Sequence, residues 1–183
     1  PDEHAPPEAR PAMIAAVTDL SGTITGVHRT WLARDGSGKA PIDTPRRAMG
    51  GLLGHAVRFG AAGDVLAAGE GIETMLSLRY ALPAMPMAAA LSASHLAALA
   101  LPAALRRIYV ARDADAAGET AATALIERAQ AAGIEARVLS PRLKDLNEDL
   151  QAFGSGAVRA SMRMQLASQD AARFMRRRGA ATG

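Results

Sequence analysis

The 183-residue sequence predicts an α/β fold: a parallel sheet flanked by helices, preceded by a small β-rich subdomain. Three observations lead there. From residue 65 onward, short apolar runs alternate with longer helix-forming runs, the pattern of strands joined by crossover helices. Before residue 64, apolar runs are separated only by turn residues, which predicts hairpins. Finally, a chain 49% hydrophobic with no cysteine must hold one ordinary core by packing alone.

The elements follow in order. Residues 1–11, with four prolines and mixed charges, cannot bury apolar surface and read as a flexible lead-in. Runs 12–18 and 24–33 are β-rich and are bridged by Asp19-Leu20-Ser21-Gly22, a turn composition that implies a hairpin. The glycines and proline of 35–41 predict a loop, and 56–59 and 65–68 are short strands around a Gly60/Gly63-Asp64 turn. A helix is expected over 72–80, a strand over 86–90, and a short helix over 94–99 capped by Ser94. Run 107–111 is the clearest strand, and 117–132 is the clearest helix, closed by Gly133. A strand at 135–139 and helices near 146–153 and 158–174 complete the series.

Composition narrows the chemistry. Without cysteine there is no disulfide scaffold, thiolate zinc site or cysteine nucleophile. The four histidines, His4, His28, His55 and His95, never fall at a metal-ligand spacing. Any metal must therefore be held by oxygen, which points to magnesium, manganese or calcium. A net charge of +3 fits a polyanionic partner without demanding one, and 3% aromatic residues argue against a base-stacking surface. Neither a membrane span nor a signal peptide is legible, so no membrane partner and a cytoplasmic location are expected. The chain opens on Pro1, which implies a piece of something longer.

In an open α/β sheet, ligands sit beyond the carboxyl ends of the strands. There the sequence places Glu70, then Asp113 and Asp115, then Asp145, with intervals of 43 and 30 residues, about one crossover unit each. Four acids at one end of neighbouring strands repel one another unless a cation joins them. Asp113 and Asp115, two apart in an extended segment, project to the same side and can share one ion. Glu70 lies between Gly69 and Gly71, where backbone can approach a phosphate and the next helix N-terminus adds a positive dipole. The chemistry implied is magnesium-dependent phosphoryl transfer or phosphodiester cleavage, with Glu70 handling a proton.

Three segments now carry a resemblance. Gly69-Glu70-Gly71-Ile72-Glu73-Thr74, Asp113-Ala114-Asp115-Ala116-Ala117-Gly118 and Lys144-Asp145-Leu146-Asn147-Glu148 resemble the three signatures of a Toprim domain, in order and spacing. This catalytic module is shared by primases, type IA and type II topoisomerases and some nucleases. The forms seen here most resemble the primase and primase-helicase branch of phages, plasmids and mobile elements. The stretch 14–59, with Val27-His28-Arg29-Thr30-Trp31-Leu32 and Gly38-Lys39-Ala40-Pro41, is similar to the region preceding the Toprim in those proteins.

The resemblance implies Glu70 as catalytic acid/base and Asp113, Asp115, Asp145 and Glu70 as ligands of Mg2+ or Mn2+. Gly71, Arg112 and Lys144 would face phosphate. Thr74 stands where replicative primases often have Asp, with Glu73 one place earlier, so the ligand set for a second metal stays open. The expected organisation is 1–11 lead-in, 12–63 β-rich subdomain, 64–153 Toprim catalytic domain, 154–174 C-terminal helix and 175–183 basic flexible tail. Expected partners are DNA and nucleotide triphosphates, with a helicase or zinc-binding domain elsewhere in the full-length protein.

Blander readings stand beside these. Asp115 can cap the helix that follows it, and Glu73 can be an ordinary first-turn acid. Arg112 can simply neutralise the acids, and Lys144 can be a surface lysine. Tyr80 and Tyr109, candidates for a topoisomerase nucleophile, read as packing residues. His28 and His95 read as structural or exposed, and Arg176-Arg177-Arg178 as a solvated run. Primer synthesis by nucleotidyl transfer is the leading function; a Toprim nuclease or nickase and a non-catalytic nucleic-acid-binding module are the alternatives.

Overall fold

A computed structural model describes residues 9–175. Two sheets organise it. The smaller is antiparallel, in the order β1 (Ala12–Thr18), β2 (Ile24–Trp31), β3 (Arg46–Gly50). The expected hairpin is present: Asp19 accepts from the Ser21 and Thr23 amides at 2.9 and 3.0 Å, an Asx turn joining β1 to β2. Residues 9–11 are not a free lead-in, because Leu32 N donates to Pro11 O at 2.9 Å and Arg34 Nη2 to Ala9 O at 2.7 Å. Strand β3 had no sequence signal, since all five of its residues are exposed and no alternation marks a buried face.

The larger sheet runs β4 (Val57–Phe59), β6 (Met87–Ala89), β5 (Val65–Gly69), β7 (Arg107–Ala111), β8 (Glu135–Leu139). All pairings are parallel except β4 with β6, so the expected parallel sheet carries one antiparallel edge. That edge strand, grouped by sequence with the N-terminal subdomain, hydrogen-bonds into the larger sheet. Period-two alternation divides its side chains cleanly. Val65, Ala67, Met87, Ala89, Tyr109 and Ala111 pack on one face, Leu66, Ala68, Ala88, Ile108 and Val110 on the other.

The first face is covered by α1 (Ile72–Ala81), α4 (Leu146–Gln165), α5 (Ser168–Phe174) and, through Val17, Met13 and Ala15, by the small sheet. The second is covered by α2 (Ala93–Ala97) and α3 (Ala116–Ala131). Small residues in β5 and β6 let the helices lie close. Two helical expectations need correcting. Ser92, not Ser94, caps α2, its Oγ accepting from His95 N at 3.2 Å. The expected helices 146–153 and 158–174 do part within α4, where Gly154 at φ 76° breaks the helical backbone, but the second ends at Gln165 and a further break separates it from α5. The break falls at Leu166 and Ala167, whose extended backbone turns the chain so that Ala167 N donates to Tyr109 Oη at 3.0 Å.

The C-terminal end is anchored. Asp170, 3% exposed, accepts from Tyr109 Oη at 2.6 Å and from Arg107 Nη1 at 2.7 Å, and Met175, expected to begin a flexible tail, is buried. Arg176-Arg177-Arg178 lies outside the described residues. No described helix is long and apolar enough to cross a membrane.

Candidate active site

The carboxyl ends of β5, β7 and β8 converge on a cleft of about 280 Å³. Glu70, Gly71, Asp113, Asp115, Lys144 and Asp145, all named from the sequence, line it. Arg112, the seventh, is not in the lining; its Nε donates to Ser140 Oγ at 3.1 Å and its Nη1 lies 3.4 Å from Glu119, so it turns away toward β8 and α3.

Local chemistry fixes each acid. Asp115 is the N-cap of α3, its Oδ1 accepting from Gly118 N at 2.8 Å. Asp145 caps α4 in the same way, its Oδ1 accepting from the Asn147 and Glu148 amides at 2.8 Å each. Capping thus occupies one oxygen of each, and the capping reading and the site reading hold together for these residues. Asp113 has no such bond: its Oδ1 is buried without a hydrogen-bond partner. Close packing puts it there. A Cβ on Gly118 would lie 2.7 Å from the Asp113 carbonyl oxygen, so α3 can begin against Asp113 only with glycine at that turn.

The electrostatics follow from the geometry. Burial, then the charges of Glu70, Asp145 and Asp115, push the Asp113 carboxyl up to about 6, while Lys144 opposes them. Burial and Asp115 also raise Glu70. Among the described residues no three His, Asp or Glu side chains stand close enough to hold a metal ion between them. The expected four-carboxylate ligand set is therefore gathered in one cleft but not closed, because Asp115 and Asp145 are drawn toward their own helix amides. The donor set nonetheless fits a hard divalent cation: it is all carboxylate, and it contains one buried oxygen with nothing to accept.

The small sheet and its loops supply what sequence reasoning missed. Lys39 and Arg46 line the same cleft, with Thr74, Leu91 and Asn147. Lys39 Nζ lies 3.0 Å from Glu73 Oε1. Burial alone would raise Glu73; its own backbone amide, Lys39 and Arg46 together bring it below its ordinary value. Glu73 is therefore a charged partner of Lys39 rather than a free ligand. His28, 7% exposed, is pushed below the ordinary imidazole range first by burial, with Arg46 and Lys39 adding to it against Glu73. The segment Gly38-Lys39-Ala40-Pro41 was the available signal, but nothing in its spacing shows which strand end it faces. Leu91, at φ 79°, is strained so that its amide reaches Glu70 O at 2.8 Å.

Neither tyrosine is placed as a nucleophile. Tyr109, the middle residue of β7, is fully buried and its hydroxyl is held by Asp170, outside the cleft. Tyr80, expected to pack, is 69% exposed at the end of α1 and outside the cleft.

Residues 65–156, just over half of the chain, match the model of the Toprim domain family, and the chain belongs to that family. Residues 1–59 match a family described only as a domain of unknown function. No curated protein matches the chain. Among solved structures, the primase fragment of the bacteriophage T7 primase-helicase protein superposes with a TM-score of 0.58 at 17% identity, covering 84% of this chain and 62% of that one. The Aquifex aeolicus primase, comprising zinc-binding and RNA polymerase domains, gives 0.57 at 16% identity over 84% and 40%. A DNA primase domain from Pseudomonas aeruginosa gives 0.56 at 19% identity over 83% and 50%. The chain thus spans 40 to 62% of the length of these relatives, and at such identities the likeness establishes the fold alone.

Proposed function

We propose that this chain is the catalytic Toprim domain of a primase, joining nucleotides on a DNA template. The observation that carries the reading is the placement of Asp113, its Oδ1 buried and unpartnered, among Glu70, Asp115 and Asp145 at three adjacent strand ends. Asp113, Asp115, Asp145 and Glu70 would hold magnesium or manganese, which when bound neutralises phosphate charge and favours ionisation of an attacking hydroxyl.

The chain's own groups do the rest. Glu70, raised by burial and Asp115, is matched to taking a proton from the 3′-hydroxyl of the growing strand. Lys39, Arg46 and Lys144 bring positive charge to the rim for a triphosphate. Gly71 is the N-cap of α1 and brings no side-chain cap, so the helix turns its positive end toward a phosphate oxygen, with the Glu73 amide already met by its own carboxylate. On this reading residues 64–153 are the catalytic unit, residues 12–63 contribute cations to it, and a helicase or zinc-binding domain serves the remaining steps of priming.

Incubation with single-stranded DNA and magnesium, with and without nucleotide triphosphates, tests the reading. Nucleotide-dependent products that vanish in Glu70→Gln, with an unchanged circular dichroism spectrum, support it. DNA cleavage without nucleotides would replace it with nuclease chemistry. DNA binding that persists in Asp113→Asn/Asp115→Asn, with no metal-dependent reaction of either kind, would leave a binding module.

A further inference from the structure

A second cleft, of about 570 Å³, lies between the β1–β2 turn and the edge strand β4, and shares no lining residue with the carboxylate site. Arg58, the middle residue of β4, lines it. Its neighbours Val57 and Phe59 pack into the main core, so alternation sends Arg58 to the other face of the sheet. Its Nε and Nη2 are closed to solvent without a hydrogen-bond partner, and no carboxylate lies within ion-pair distance of it among the described residues. Burial lowers the tendency of this guanidinium to stay charged and Asp19 restores part of it. An arginine does not give up its proton in a protein, so a planar cation with five donors sits half-buried with no counter-ion in contact.

The rest of the lining bears on what completes it. Asp19 is the carboxylate whose charge acts on Arg58, but its Oδ1 already accepts from the Ser21 amide, the Ser21 hydroxyl at 2.7 Å and the Thr23 amide. Gly60, Ala61 and Ala62 follow directly on β4, and among the described residues their backbone amides donate no hydrogen bond. The half-buried guanidinium without a counter-ion in contact, beside the exposed amides of residues 60–62 at the rim of the cleft, suits a multidentate anion, and a phosphate group matches a guanidinium fork. We propose that this cleft binds a phosphate group through Arg58 and the amides of residues 60–62, the phosphate belonging either to a small polyphosphate or to a nucleic-acid backbone. This site does not depend on the catalytic reading of the other cleft.

The test uses the whole 183-residue chain with divalent ions chelated, so that the carboxylate cluster repels phosphate. Inorganic pyrophosphate is titrated by calorimetry and a labelled single-stranded oligonucleotide by fluorescence anisotropy, against wild type, Arg58→Ala, Arg58→Lys and Asp19→Asn. Loss of a charge-assisted contact predicts affinity weakened about tenfold or more in Arg58→Ala and less in Arg58→Lys. Removal of the one competing carboxylate predicts tighter binding in Asp19→Asn. If pyrophosphate follows this order, the ligand is a small polyphosphate; if only the oligonucleotide does, it is a strand backbone. Affinities for both probes that ignore Arg58→Lys and Asp19→Asn would overturn the proposal. So would an Asp19→Asn variant that is destabilised without any gain in affinity, since Asp19 would then be the structural counter-ion of Arg58.

Discussion

Replacing Asp113 by Asn should make the metal-free protein more stable. Burial first, then Glu70, Asp145 and Asp115, push the Asp113 carboxyl from 3.8 up to about 6. The native state therefore keeps this proton at pH values where the unfolded chain has released it. Stability from this group is fully present below pH 3.8 and is lost as pH rises through about 6. At roughly 1.4 kcal/mol per pH unit, ionised Asp113 costs about 3 kcal/mol at pH 8, an upper limit because part of the side chain meets solvent. An Asn amide keeps the shape, removes the charge and offers donors to the surrounding carboxylates. For a chain of this size each kcal/mol moves Tm by about 2–4 °C. Asp113→Asn should then melt roughly 5–10 °C above wild type at pH 8 in chelator, the gap shrinking toward zero at pH 4. Magnesium should raise the wild-type Tm and leave the variant unmoved. Scanning fluorimetry at the two pH values, with and without metal, reads all four quantities. A variant melting at or below wild type at pH 8 would refute the reasoning, as would an equal response of both proteins to magnesium.

Other outcomes follow from single contacts. Gly118→Ala places a Cβ 2.7 Å from the Asp113 carbonyl, against backbone that cannot yield, and should cost about 1–3 kcal/mol by urea denaturation while weakening the response to magnesium. Tyr109→Phe removes the hydroxyl shared by Asp170 and the Ala167 amide; a loss of about 1–3 kcal/mol, with nucleotide incorporation per folded molecule unchanged, is the expected result. Lys39→Ala breaks a partly exposed pair with Glu73 and should change stability by under about 1 kcal/mol, yet raise KM for nucleotide if Lys39 serves the triphosphate. An unchanged KM would remove Lys39 from the site.

What the sequence made legible was what neighbouring residues decide. The run Arg107–Ala111 had to be a buried strand, and the acids just beyond it had to reach the sheet's carboxyl end, so Asp113 and Asp115 were found without coordinates. The contribution of Lys39 and Arg46 was invisible for the opposite reason. Lys39, in the loop between β2 and β3, meets Glu73 on α1, and no local pattern records such a contact. Strand β3 escaped because an exposed strand has no alternation to show. Arg112 was misplaced because adjacency in sequence to two site residues says nothing of direction, and Ser140 and Glu119 draw it elsewhere. The α4 and α5 boundaries depended on Tyr109, whose hydroxyl holds the Ala167 turn from a strand 58 residues earlier.

The anomalous signal of a crystal soaked in manganese tests the carboxylate cluster most directly. An anomalous peak bonded to Asp113 and at least one of Glu70, Asp115 and Asp145 is the expected result, accompanied by a shift of Asp113 Oδ1 from its unpartnered position. Crystals that take up manganese elsewhere while Asp113 stays unligated would contradict a metal-dependent active site at these strand ends.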